Sequence, residues 1–259
     1  MDSDRRTVPL KHHETGCGAL AEARFIPQGY EPNYAYPLLV MFHGRGGDEH
    51  QLVTMMPALS WRNYVGLSLR GPEIVTRRGR EIGQSWGSAF ARPDRQALMT
   101  RSSLHPGEAV RRILAGGPLD AVDRLEDGVF GAIRELRRSI HVHSERIYLA
   151  GVGEGAAVAY RMVLSHPERF AGVVAVNGWL PAGAPLARVK DCRSLRILVV
   201  HGEWNDRSPI MAARRDVATL RAGGLRVAFH AYPCGHRVTS PMLADIDTWL
   251  MHQCTSSVV

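Results

Sequence analysis

The chain has 259 residues, 45% of them hydrophobic, and a formal charge of +7, which suits a large buried core and a length that undivided α/β domains commonly reach. No apolar run approaches the roughly 20 residues needed to cross a bilayer, and the start, Met1-Asp-Ser-Asp-Arg-Arg6, lacks the charged-then-apolar order of a secretion signal, so a soluble cytoplasmic protein with no membrane span is expected. Cys17, Cys192, Cys234 and Cys254 lack C-x-x-C spacing, against a disulfide framework or zinc site; the arginine pairs are dispersed without aromatic interleaving, against a nucleic-acid partner.

The elements, in chain order, describe one α/β domain over residues 1–259. Residues 1–15 are polar and expected to fray, and Ala19 to Ile26 reads as an outer strand. Tyr36–Phe42 is a continuous apolar run, hence a strand buried on both faces. A helical segment, Gln51 to Ser60, leads to a second buried run, Asn63–Leu69. Residues 73–117 read as an irregular excursion over the rim of the sheet, with a short helix at Ala109–Leu114. From Asp120 the period turns helical, with Val122, Leu125, Val129, Ile133 and Leu136 on one face. Strands then follow at Arg146–Ala150, Ala171–Asn177, Leu195–Val200 and Arg226–Tyr232, alternating with helices at 156–164, Pro209–Arg221 and Pro241–Met251. Such βαβ alternation implies a mostly parallel central sheet flanked by helices.

The organising unit is strand Arg146–Ala150, the turn Gly151-Val-Gly-Glu-Gly155 and the helix beyond it. Two turns fit. The nucleophile elbow, G-x-S-x-G, lifts a serine above the sheet edge; Gly151 and Gly155 match its outer glycines, but the centre is Gly153. The dinucleotide fingerprint, G-x-G-x-x-[GA], is met by Gly151, Gly153 and Ala156, yet the acidic residue it needs roughly 20 positions on is replaced by Asn177 and Gly178.

Three further pieces accompany this turn in order: Phe42-His-Gly-Arg-Gly-Gly-Asp48, Val200-His-Gly-Glu-Trp-Asn-Asp-Arg-Ser-Pro209 and Tyr232-Pro-Cys-Gly-His236. Together the four pieces resemble the α/β-hydrolase superfamily, and within it the phospholipase/carboxylesterase group of small esterases. The resemblance implies an α/β-hydrolase fold, carboxylic-ester substrates, no cofactor and no metal. It also implies a serine, a histidine that takes its proton and an acid that orients the histidine. His236 matches the retained base, whereas Gly153 stands at the nucleophile position. The acid position falls on Asn205, with Asp206 one place late as a substitute. Backbone N–H groups of Gly44, Arg45 and Glu154 are the expected oxyanion hole.

These residues point to a degenerate esterase kept as a binding or regulatory module for a small ester or acyl ligand, its protein partner unknown. An alternative is a weak ester hydrolase in which His236 activates water beside the oxyanion hole. A third reading is nucleotide binding through the Gly151–Gly155 turn. Other features have structural readings: His141 and His143 as the solvated start of a strand, His201 as part of the acid loop and Met55-Met56 as core. Trp86 and Trp204 are candidates for an acyl pocket or for packing, and Cys234 lacks an elbow of its own.

Overall fold

The computed structural model describes residues 20–92, 119–181, 192 and 194–255. The expected frayed start, the short helix at 109–114 and most of the loop between 178 and 194 lie outside these residues. The strands are β1 (Glu22–Phe25), β2 (Tyr36–Phe42), β3 (Val65–Leu69), β4 (Glu73–Arg77), β5 (Arg80–Ser85), β6 (Val142–Val152), β7 (Gly172–Val176), β8 (Arg196–Gly202) and β9 (Arg226–Tyr232). The helices are α1 (His50–Val53), α2 (Met56–Leu59), α3 (Leu119–Ser139), α4 (Glu154–Ser165), α5 (Ile210–Ala222) and α6 (Ser240–Thr255).

Seven strands form one sheet in the order β1-β3-β2-β6-β7-β8-β9. Only the β1–β3 pairing is antiparallel; the other five are parallel. Every residue of β2, β3 and β7 is buried, as continuous apolar runs require when helices cover both faces. The two-residue period divides β2 between two cores. Leu38, Val40 and Phe42 join the cluster that contains α3 and α4, while Leu39 and Met41 join the cluster beneath α1, α2 and α6. The five apolar positions read on α3 are all buried on the first side.

Two segments depart from the sequence reading. The helix expected over Gln51–Ser60 is broken into α1 and α2, with Pro57 in the first turn of α2, a position where proline is tolerated only at a helix start. The first part of the expected irregular excursion is an antiparallel hairpin of β4 and β5 with a register shift between Val75 and Thr76. Gly47 bridges Gln84 of this hairpin, through Gly46 N–H to Gln84 O (2.7 Å) and Gln84 N–H to Gly47 O (2.8 Å). The loops after β2, β6, β7, β8 and β9 leave the same end of the parallel sheet, where open α/β sheets form their crevices.

Candidate functional site

Gly153 sits between β6 and α4 with φ 56° and ψ −114°, a backbone conformation that L side chains rarely adopt. Its N–H donates to Val176 O (2.9 Å), which locks the turn to the neighbouring strand. A Cβ built on it would lie 3.3 Å from both Cε1 and Nε2 of His236. The turn thus has the sharp strand-to-helix geometry of an elbow, and the residue at its apex faces the histidine. Gly155 has a different reason: its Cβ would lie 2.1 Å from Phe42 O, so the helix start packs directly on β2. Close packing accounts for this outer glycine without any phosphate group.

His236 Nδ1 lies 3.1 Å from Asn205 Oδ1. That oxygen also accepts the N–H groups of Arg207 (3.1 Å) and Ser208 (3.0 Å), which identifies it as the carbonyl end of the amide. Nδ1 of His236 therefore carries the proton, and its Nε2 lone pair points at Gly153. Of the two residues considered for the acid position, the geometry places Asn205 against the histidine. Asp206 is exposed and acts on His236 only through its charge. The His236 pKa is pushed below the ordinary histidine value, first by burial, then by the Arg207 and His201 charges, with Asp206 opposing weakly. The ring is neutral at pH 7.

Asn177, noticed in the sequence only as a missing carboxylate, is the organiser of this end of the sheet. It is fully buried at φ 54°, where asparagine is among the few residues at ease. Its Oδ1 accepts from Gly202 N–H (2.8 Å) and Asn205 Nδ2 (3.2 Å), and its Nδ2 donates to Arg237 O (2.9 Å). One amide thus ties together the loops after β7, β8 and β9. The signal for it was a polar residue ending an apolar strand. His201, in the same region, donates from Nε2 to Ser208 O (2.7 Å), and burial lowers its pKa. It braces the loop after β8, as expected.

The turn after β2 supplies the other wall. Gly44 N–H donates to Gln51 Oε1 (2.8 Å) and so already has an acceptor. The N–H of Glu154 opens α4, where the first N–H groups of a helix have no carbonyl partner within it. The Glu154 side chain, 1% exposed, turns inward. Its Oε1 accepts from Arg45 Nη1 (3.2 Å) and Ser85 Oγ (3.1 Å), and its Oε2 accepts from Trp86 N–H (3.1 Å). Arg45 also donates to Ser85 Oγ (2.9 Å). A single carboxylate thereby clamps the turn after β2, the end of the hairpin and the elbow. The neighbouring His43 is structural: Nδ1 donates to Gly44 O and Nε2 accepts Gly71 N–H, both at 2.8 Å.

Gly153, Glu154 and His236 line an open cleft of ≈ 720 Å³ together with Gln51, Met55 and Trp179. Of the tryptophans singled out in the sequence, Trp86 is core, donating to His43 O and packing edge-on to Phe42, and Trp204 is 69% exposed. Neither lines the cleft; Trp179, not anticipated, does. Met56 is core while Met55 reaches the cleft. Cys192, Cys234 and Cys254 are buried. Among the described residues no cluster of His, Cys, Asp or Glu could hold a metal, and no helix is long and apolar enough to cross a membrane.

The model of the phospholipase/carboxylesterase family matches residues 30–253. The chain belongs to that family. Its α/β-hydrolase fold is shared with the esterase PE8, whose crystal structure superposes with a TM-score of 0.66 at 17% identity, covering 90% of this chain and 99% of the other. Among curated family relatives, a carboxylesterase of Arabidopsis thaliana, SOBER1, is 24% identical over 151 residues, 55% of this chain and 64% of the relative. A protein of Oryza sativa subsp. japonica named a probable inactive carboxylesterase is 25% identical over 143 residues, 51% of this chain and 58% of its own. The chain thus matches less than two-thirds of the length of either relative.

Proposed function

We propose that this phospholipase/carboxylesterase family member has lost acyl-enzyme catalysis and retains its cleft as a binding or regulatory module for a small ester or acyl ligand. Acyl transfer needs a nucleophile at the elbow apex, and residue 153 has no side chain. Asn205, at the acid position, can orient His236 but cannot stabilise an imidazolium as a carboxylate does; in a serine protease the same replacement costs about 10⁴-fold in turnover. The observation that carries the binding reading is that the cleft remains open in front of Gly153, rather than being filled by its neighbours. The rice relative is itself named a probable inactive carboxylesterase. On this reading Gly153, Asn205 and His236 are a degenerate triad, and the N–H groups of Arg45 and Glu154 are what is left of the oxyanion hole.

One observation favours a second reading, slow hydrolysis by water. His236 is neutral, with Nε2 unprotonated and facing the cleft, the form that a general base requires. Enzymes stripped of a triad member keep some 10³–10⁴-fold over water.

The test has two arms. A fluorophosphonate probe leaves the purified protein unlabelled, and p-nitrophenyl butyrate turnover stays near background. Stoichiometric labelling lost in His236→Ala would place an activated serine elsewhere and end the proposal. In the second arm, methyl butyrate shifts the NMR signals of the His236 ring; no shift up to its solubility limit would exclude the binding role. Turnover above background that disappears in His236→Ala would select the water-activation reading.

A further inference from the structure

The charge lining the cleft is predominantly positive. Arg45, Arg92, Arg207 and Arg237 line it against one carboxylate, Glu154, with Asp206 a further carboxylate that acts on His236. The Glu154 carboxylate is already matched by Arg45, Ser85 and the Trp86 N–H. Among the described residues, no acidic side chain lies within ion-pair distance of Arg92, Arg207 or Arg237. Arg207 stands close enough to His236 to depress its pKa. Guanidinium groups gathered around a partly enclosed cleft, with low-dielectric walls beside them, focus a positive potential into it.

Two further features set the shape of the anion. In front of Gly153 there is no side-chain oxygen, so an anion there meets the orphan N–H of Glu154 rather than the lone pairs of a hydroxyl. The cleft also shares Leu52, Met55, Val152 and Val238 with the lining of a second cavity. The second cavity is lined wholly by apolar residues and glycine, at ≈ 50 Å³. A dry cavity of about 150 Å³ accommodates benzene, so this one has room for a tail of about two or three carbons.

We infer that the cleft binds a small organic carboxylate, with the carboxylate held at Gly153 by the Arg207 and Arg237 side and a short alkyl tail directed towards Met55 and Val238. The inference rests on the binding reading above and adds the charge and length of the ligand. Arginine suits a carboxylate because its planar fork matches the two oxygens, and the apolar cavity has no counterpart on inorganic phosphate.

Calorimetric titrations at constant ionic strength compare butyrate, methyl butyrate, octanoate and inorganic phosphate, with the His236 NMR signals recorded in parallel. Butyrate is expected to bind at least about tenfold more tightly than its methyl ester, as charge-assisted contacts exceed neutral ones. Octanoate is expected to bind no more tightly than butyrate. The variant Arg207→Ala/Arg237→Ala, both residues being exposed, is expected to keep its melting temperature and to lose at least about tenfold for butyrate, a larger loss than for methyl butyrate. Equal binding of butyrate and methyl butyrate, or butyrate binding unchanged in the double variant, overturns the inference while leaving the binding module standing. Phosphate binding as tightly as butyrate overturns the carboxylate assignment. If neither butyrate nor methyl butyrate moves His236, the inference and the binding reading fail together.

Discussion

Replacing Gly153 by serine tests the whole arrangement, because each cost and gain is visible in the structure. The residue occupies φ 56°, ψ −114°, so any side chain there is strained by about 1–3 kcal/mol. Its Cβ would meet the His236 ring at 3.3 Å, which the ring relieves by moving a few tenths of an ångström. For a domain of this size, that strain lowers the melting temperature by roughly 2–10 °C. The new hydroxyl would stand beside the Nε2 that lacks a proton. Because Asn205 rather than Asp206 contacts Nδ1, Gly153→Ser alone is expected to stay a weak esterase. Adding Asn205→Asp supplies the missing charge, an effect of about 10⁴-fold in a serine protease. The second oxygen of the new carboxylate, however, replaces an amide that donates to Asn177 Oδ1 at 3.2 Å. Two acceptors then face each other, at a cost of about 1–3 kcal/mol. The double variant is therefore expected to exceed the single one by about 10²–10³-fold rather than the full factor. The assay is p-nitrophenyl butyrate hydrolysis with fluorophosphonate labelling of residue 153, alongside a melting curve. Equal activity of the single and double variants would refute the assignment of Asn205 to the acid position. Two folded but inert variants would show that the loss extends to the oxyanion turn.

Two stability predictions follow from buried polar groups. Glu154→Ala leaves the Ser85 hydroxyl and the Trp86 N–H buried without their acceptor and is expected to cost about 2–4 kcal/mol. Arg45→Ala removes a partner whose side chain is 58% exposed and is expected to cost less than about 1 kcal/mol; equal losses in chemical denaturation would show that the clamp has been misread. Acidification is expected to destabilise the fold in two stages. Burial holds His43 and His201 below the ordinary value of 6.5. The unfolded chain therefore binds protons first, and stability falls as pH drops below about 6.5. Burial would raise the Glu49 pKa, but its two-point pairing with Arg70, at 2.6 and 2.5 Å, lowers it instead. A second loss is therefore expected below the ordinary carboxylate value of 4.5. A denaturation midpoint independent of pH between about 7 and 5 would contradict the histidine assignment, and one independent of pH between about 5 and 2 would contradict that of Glu49.

The parallel sheet was legible because its strands are short apolar runs bounded by glycine and alternating with helical periodicity, and burial on both faces demands that composition. The Gly151–Gly155 turn was legible as a turn, and its apex could be numbered, because glycines at a strand end mark a backbone that side chains cannot follow. The hairpin of β4 and β5 was not legible. Of its eleven strand residues, only Val75 and Ser85 are buried, so no alternating apolar face announced it. The break between α1 and α2 was signalled by Pro57, inside a stretch otherwise periodic enough to read as one helix.

At the site, amino-acid identity by itself determined which chemistry was available: no hydroxyl at residue 153, an imidazole at residue 236 and an amide beside a carboxylate at residues 205 and 206. Only the tertiary structure decided which of Asn205 and Asp206 meets His236, because adjacent residues in a loop point in different directions, and their choice depends on the Arg207 and Ser208 N–H groups that capture the amide oxygen. The same holds for Asn177, Glu154 and the arginines of the cleft. Each is an ordinary polar residue in its own segment, and each acquires its role from partners as much as 109 positions away, as Arg45 does from Glu154. Hydrogen bonds and charge pairs act over a few ångströms of space, and a single chain does not state which of its distant segments will share them.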